Sequence, residues 1–317
     1  MTQFYHLLQS VFVLVALILC AYWLKQRNIV TDHHSEVFSK LVTDFALPAI
    51  IFANLAGSPP IDFQRMVPAL VMLFAMTVTA LAAWIIGKLM GLSRRVLGAV
   101  VLVTGVGSSS TLGYSLVHQF LGDNPAAMSE VVIIGEFGVI VPLFTLGVAV
   151  AMYFGRDESV EQSYWSAARP FFYSPIFIAL VLGMLVPAAA ATWNNWAIQF
   201  AFSVLKVIGD SLPLLVALTV GLMLKPIELR AIWSLVLLAA ILKLVIEPLT
   251  AVASAAWLQI SALDREILAI EAAMPSGALA AVLAARYGCD GATASALVIA
   301  TYVLSLAALP LILYVGL

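Results

Sequence analysis

The sequence predicts an all-α membrane protein of ten transmembrane helices, built as two inverted five-helix repeats. Three observations predict it. Of 317 residues, 63% are apolar and 10% charged; a soluble domain carries about 45–50% apolar and about 25% charged residues, so this chain cannot cover a surface that faces water. Polar gaps and turn residues then divide it into ten stretches, each near the ~20 apolar residues a helix needs to cross the hydrocarbon. Finally, the fourth and ninth stretches are interrupted by Gly, Ser and Pro at matching places in the two halves. The composition also excludes a nucleic-acid binder, since 15 Lys+Arg stand against 17 Asp+Glu. Cys20 and Cys289 lie too far apart in sequence for a disulfide framework or a metal-ligand spacing, so no metal site is expected.

Taken in order, the spans run over about 4–24, 37–57, 66–90, 96–120, 128–153, 171–188, 200–223, 231–257, 264–286 and 292–315. The first lacks a basic n-region and a small-residue cleavage site, and reads as a retained span rather than a signal peptide. Aromatics gather at several edges: Tyr22 and Trp23, Trp84, Tyr164 and Trp165, Trp193 and Trp196, and Trp257. The loops after odd-numbered spans hold Lys25, Arg27, Lys40, Lys88, Arg94, Arg95, Arg156, Arg169, Lys225, Arg230 and Arg286. The other side holds only Arg65 and Arg265. Positive charge marks the cytoplasm, so both termini are expected outside it, in an integral protein of the cell's inner or plasma membrane.

The halves come partly into register at a shift of 166 residues, which places Ser110 on Ser276, Gly122 on Gly288, Ser129 on Ser295 and Val132-Ile133 on Val298-Ile299. A shift of 165 places Leu47-Pro48 on Leu212-Pro213. With five spans per half, the second half (171–317) enters the membrane from the side opposite to the first (1–154). A charged connection at 155–170, GRDESVEQSYWSAARP, joins them and is too short to be a domain. Inverted repeats of this kind typify secondary transporters.

The interruptions read Gly105-Val106-Gly107-Ser108-Ser109-Ser110-Thr111 and Met274-Pro275-Ser276-Gly277. Non-helical backbone at membrane depth persists only when buried in protein or lining a wet cavity. Two facing breaks bring half-helix N-termini, with free N–H groups and partial positive charge, to the midplane. An anion such as a carboxylate is the natural guest there. Close helix packing through small residues is the plainer explanation of the same Gly and Ser.

Charges inside spans cost about 3 kcal/mol or more each, so each requires a reason. Glu136, between Gly135 and Gly138, suits a proton carrier or cation ligand, or a carboxyl bonded to the break's N–H groups. Lys243 and Glu247 have the i, i+4 spacing of a self-neutralising pair; unpaired, Lys243 is a candidate for a second substrate carboxylate. Glu271, one turn before Pro275, is either a cation site or a structural brace. Asn54 either contacts substrate from a neighbouring span or caps a helix end. Asp44 and Asp210 lack the flanking signatures of an intramembrane aspartyl protease, and His33-His34 with Asp32 and Glu36 reads as a solvated connection rather than a metal site. His118 is expected at an interface. The absence of HExxH and of a nucleophile elbow argues against an enzyme, and the absence of GxxxxGK[ST] argues against direct ATP drive.

The stretch from Lys243 to Pro310, with KLVIEPL, EAAMPSGALAAVLAARYGCDGATAS and the terminal LSLAALP, resembles the auxin efflux carrier family. FALPAIIF at 45–52 and the glycine-serine break extend the resemblance over the chain. Where the family carries Asn five residues before a Gly-x-Pro, this chain has Ser108, with Gly113-Tyr114-Ser115 following; the Ser cluster either takes over that contact or changes the substrate. The resemblance implies a fold similar to sodium/proton antiporters and bile-acid symporters, with crossed, broken helices four and nine. It further implies a dimerising scaffold of helices one, two, six and seven, and an elevator-like transport unit of helices three to five and eight to ten. The function implied is transport of small mono- or dicarboxylates, malonate-, malate- or auxin-like. Ser108, Ser109, Ser110, Thr111, Pro275, Ser276 and Gly277 would hold the carboxylate, with Asn54 and Lys243 as further contacts. Glu136 and Glu271 would take a coupling proton or sodium ion, and no other cofactor is expected. The alternative is a sodium-coupled symporter or cation/proton exchanger on the same fold.

Overall fold

The computed structural model describes residues 2–57, 66–113, 116, 117, 121, 124–156, 172–186, 195–224 and 229–315. Arg65, His118, Tyr164, Trp165, Arg169, Trp193, Lys225 and most of the 155–170 connection lie outside the described residues, as do the side chains of Asn54, Ser110, Thr111 and Arg230.

Each described element is a helix. The first half contributes α1 (Thr2–Gln26), α2 (Asp32–Leu41), α3 (Leu47–Gly57), α4 (Val67–Leu89), α5 (Arg94–Thr104), α6 (Pro125–Ile133) and α7 (Val148–Gly155). The second contributes α8 (Pro175–Leu185), α9 (Trp196–Asp210), α10 (Leu212–Met223), α11 (Leu229–Ile241), α12 (Glu247–Trp257), α13 (Ala262–Ala272), α14 (Ala278–Arg286) and α15 (Gly291–Val315). Starts follow local chemistry. Asn124, Ser174 and Asn195 accept from the first-turn N–H groups of α6, α8 and α9, and proline opens α6 and α8, where its missing N–H costs nothing. His34 Nδ1 accepts from Thr31 N at 3.0 Å, closing a capping box at the start of α2. The adjacent histidines thus include a helix-capping group.

Among the described residues, five helical runs are long and apolar enough to cross a bilayer: Val67–Leu89, Ser129–Gly155, Trp196–Met223, Ile232–Trp257 and Gly291–Leu309. Several are not uniform. Widened π turns occupy Val42–Ala46, Ile134–Ile140 and Leu242–Ile246, and each leads into a proline, Pro48, Pro142 or Pro248. Proline removes an N–H and crowds the carbonyl four residues back. The residue before each proline answers by bonding five residues back: Leu47 N to Val42 O, Val141 N to Glu136 O and Glu247 N to Leu242 O. Asp44, Glu136 and Lys243 all sit within these turns, and π turns often mark functional positions.

The helices pack in two groups. In one, α1 and α2 lie against α10, and α3 lies against α8 and α9. In the other, α4 packs on α5, α12 and the Ile134–Ile140 turn, while α15 packs on α5, α11 and α14. Contacts of α10 with α14 and α15 join them. Tyr302 on α15 is the largest fully buried side chain.

Candidate functional site

Both polar interruptions are breaks, and they meet. α5 ends at Thr104 and α13 at Ala272; between those ends and the next helical turns, Gly107 and Ser276 face each other as an isolated antiparallel bridge. Ser108 N donates to Pro275 O at 2.9 Å, and Gly277 N donates to Val106 O at 2.8 Å. The residues that cannot continue a helix therefore satisfy one another's backbone across the bundle, as burial requires. Close approach demands the glycine at 277: a Cβ there would fall 2.8 Å from Gly107 O.

Polar side chains brace the crossing. The Ser108 hydroxyl lies 2.8 Å from the Tyr302 hydroxyl, and Ser276 N donates to Thr301 Oγ1 at 3.3 Å, so α15 holds both breaks. Ser109 Oγ donates to Glu271 Oε2. The carboxyl of Glu271 thus reaches from its own half across to the opposite break, against Gly113, where its Oε1 leaves no room for a Cβ. Glu271 is fully buried, and its Oε1 and the Ser276 hydroxyl are buried without hydrogen-bond partners among the described residues.

Lys243 and Glu247 form the i, i+4 ion pair that their spacing predicts, both at 0% exposure. Thr79 Oγ1 donates to Glu247 Oε2 at 3.2 Å, bringing α4 into the cluster. Lys243 Nζ also borders the first break: a Cβ on Gly107 would fall 3.0 Å from it. The lysine is thus paired here and positioned behind the crossing.

Two cavities adjoin the crossing. A small one of about 60 Å³ is lined by Gly107, Ser108, Gly277, Ala278 and Leu279, with Leu212, Pro213 and Tyr302 opposite. It sits at the N-terminus of α14, where no side chain among the described residues caps the backbone and where Ala278 and Leu279 line the space; a helix start of this kind suits an anion. A second, of about 340 Å³, shares Ile140, Leu212, Pro213 and Leu279 with the first and contains Glu136 and Asp210. Leu47 also lines it, so both repeated Leu-Pro motifs contribute to its wall.

The structure therefore brings together Ser108, Ser109, Pro275, Ser276, Gly277, Lys243 and Glu271. Glu136 lies one cavity away, on the side of α3, α9 and α10. Sequence reasoning missed Thr301, Tyr302, Thr79 and the placement of Asp210; hydroxyls in otherwise apolar spans were the available signal for the first three. Arg286 closes one end: its Nη2 lies 3.2 Å from Asp44 Oδ2 and its Nε donates to Thr43 Oγ1 at 3.3 Å. Asp44, with no protease signature, therefore serves as an ion-pair partner between α14 and the turn that follows α2.

Broken helices crossing inside an apolar helical bundle define an integral membrane protein of the transport class. The chain belongs to the membrane transport protein family, whose model matches residues 6–313; this is the auxin efflux carrier family that the motifs resemble. It is similar to an uncharacterized transporter of Methanocaldococcus jannaschii, 25% identical over 289 residues, which span 88% of this chain and 89% of the relative. It is also similar to an uncharacterized transporter of Methanothermobacter thermautotrophicus, 24% identical over 307 residues, or 96% of each chain. The protein is a transporter, not an enzyme.

Proposed function

We propose that this transporter carries small organic anions, mono- or dicarboxylates, by secondary alternating access, with the substrate carboxylate held at the crossing of the two breaks. The observation that carries the reading is the Gly107–Ser276 bridge, beside which the uncapped N-terminus of α14 opens into a cavity. Backbone N–H groups and the Ser108 and Ser276 hydroxyls supply neutral donors, and the helix dipole adds partial positive charge. In this reading the chain spans the membrane ten times as two inverted repeats. The α1, α2, α3, α8, α9 and α10 group is the scaffold, through which two copies pair. The other group moves past it, and the apolar wall of α10 at Leu212 and Pro213 is the surface along which the site slides. Both termini face away from the cytoplasm.

A second reading, a sodium-coupled symporter or cation/proton exchanger on the same fold, is favoured by Glu271. A buried ionised carboxylate is costly unless paired, and Glu271 offers beside Ser109 an Oε1 that has no partner among the described residues. Glu136 offers a second carboxyl in the adjoining cavity. A proton or sodium ion at either position would couple its gradient to the movement of the site.

Proteoliposome uptake of malonate, malate, succinate, lactate and indole-3-acetate, each under a pH gradient, a sodium gradient or neither, tests both readings. Accumulation of one acid that collapses with its gradient and is lost in Glu271→Gln supports the coupled carrier. Proton or sodium flux without transport of any acid overturns the organic-anion reading in favour of the exchanger.

A further inference from the structure

A groove of about 470 Å³ runs between α4, α5 and α7, and it meets the smaller site cavity at Val106 and Leu143. Its floor reaches Gly105 and Val106, the start of the first break, and its walls include Leu81, Trp84, Leu146 and Tyr153. Each of those four side chains is exposed by between 39% and 57%, so in a bilayer the groove opens to lipid. That volume would hold about fifteen water molecules at roughly 30 Å³ each, but the walls are almost entirely apolar and offer them few hydrogen bonds. An acyl chain fits the chemistry better.

One end of the groove is basic. Lys88 Nζ lies over the Trp84 ring, 5.6 Å from its centroid, and the Arg94 guanidinium lies over the Tyr153 ring at 4.6 Å. Two aromatic walls of the groove thus each carry a cation, from the two sides of the α4–α5 turn. Aromatic side chains with basic partners are characteristic of the headgroup level of a membrane. Apolar length below and paired positive charge above match one molecule: an anionic phospholipid. We propose that this groove is a binding site for an anionic phospholipid of the leaflet bordering Lys88 and Arg94, its phosphate between those two cations and one acyl chain along the groove against Gly105 and Val106. The occupant would touch the broken segment whose Val106 carbonyl accepts from Gly277, so a lipid would press on the crossing.

The test uses quenching of Trp84 in the full-length protein reconstituted in phosphatidylcholine vesicles. A minor fraction of brominated phosphatidylglycerol or of brominated phosphatidylcholine is added, and the Trp84 signal is taken as the difference between wild type and Trp84→Phe. Each basic group favours an anionic lipid by about fivefold near the surface, so an enrichment of about thirtyfold is expected for the pair. Brominated phosphatidylglycerol should quench at far lower mole fraction than brominated phosphatidylcholine, and K88Q/R94Q should remove the difference. Equal quenching of the Trp84 signal by the two lipids overturns the proposal, and needs neither cation to be replaced. A preference that survives in K88Q/R94Q overturns it as well.

Discussion

The buried pair Lys243–Glu247 permits a quantitative test of how this bundle tolerates charge. Both side chains are at 0% exposure, and Thr79 adds a 3.2 Å hydrogen bond to Glu247. Lys243→Met leaves a buried carboxylate with that single donor, and Glu247→Gln leaves a buried ammonium. Removing one member of such a pair costs about 3–5 kcal/mol, about two to nearly four orders of magnitude in the unfolding equilibrium. Removing both charges with a volume-matched apolar pair restores most of that loss, because the desolvation cost of the ions disappears with them. K243M/E247L should therefore unfold within about 1 kcal/mol of the wild type. Detergent-to-SDS titration of purified protein, followed by far-ultraviolet circular dichroism, gives the three differences. A single variant within about 1 kcal/mol of wild type, or a double variant whose loss equals the sum of the singles, would refute the reasoning. Because Lys243 also borders Gly107, the double variant separates folding from function: it should be stable yet transport poorly.

Other consequences concern the crossing itself. Gly277→Ala places a Cβ 2.8 Å from Gly107 O and should reduce uptake at least about tenfold, the factor that ~1.4 kcal/mol of strain supplies, while the protein still elutes as a single species in size-exclusion chromatography. Tyr302→Phe removes the 2.8 Å contact with the buried Ser108 hydroxyl and should lower stability by about 1–3 kcal/mol in the same titration. Ser109→Ala leaves Glu271 without its hydroxyl donor, so the coupling-ion concentration for half-maximal uptake should shift. Arg286→Gln breaks an ion pair whose side chains are 30% and 44% exposed; its loss should cost less than about 1 kcal/mol of stability and appear in uptake rate instead.

The breaks were legible because Gly-Val-Gly-Ser-Ser-Ser and Met-Pro-Ser-Gly cannot make a lipid-facing helix, whatever surrounds them. Their pairing was less so. Sequence identities set Ser110 against Ser276 as repeat equivalents, whereas the antiparallel crossing sets Gly107 opposite Ser276, with Ser108 on Pro275 and Val106 on Gly277. Backbone hydrogen bonds fix that register, and they carry little side-chain signature. Lys243–Glu247 was readable because both residues lie on one helix. The partner of Glu271 was not, since Ser109 lies 162 positions away and only the crossing brings it close. Tyr302 was hidden for another reason: an aromatic in an apolar span reads as packing until its hydroxyl is seen to have a partner. The prolines at 48, 142 and 248 were visible, but proline sterics admit either a kink or a widened turn, and the choice is made by packing.

Those widened turns have a geometric consequence. Each inserts one extra residue into a helix that otherwise advances 100° per residue, so everything beyond the turn is rotated by about that angle relative to an unbroken helix. A helix crossing the bundle can therefore address one neighbour below the turn and a different one above it, without bending its axis far. The turn at Leu242–Ile246 lets the run of α11 and α12 pack against α15 along one portion and against α4 and α13 along the other. Deleting a single residue there would keep composition and hydropathy intact, yet turn half of the span to face the wrong companions.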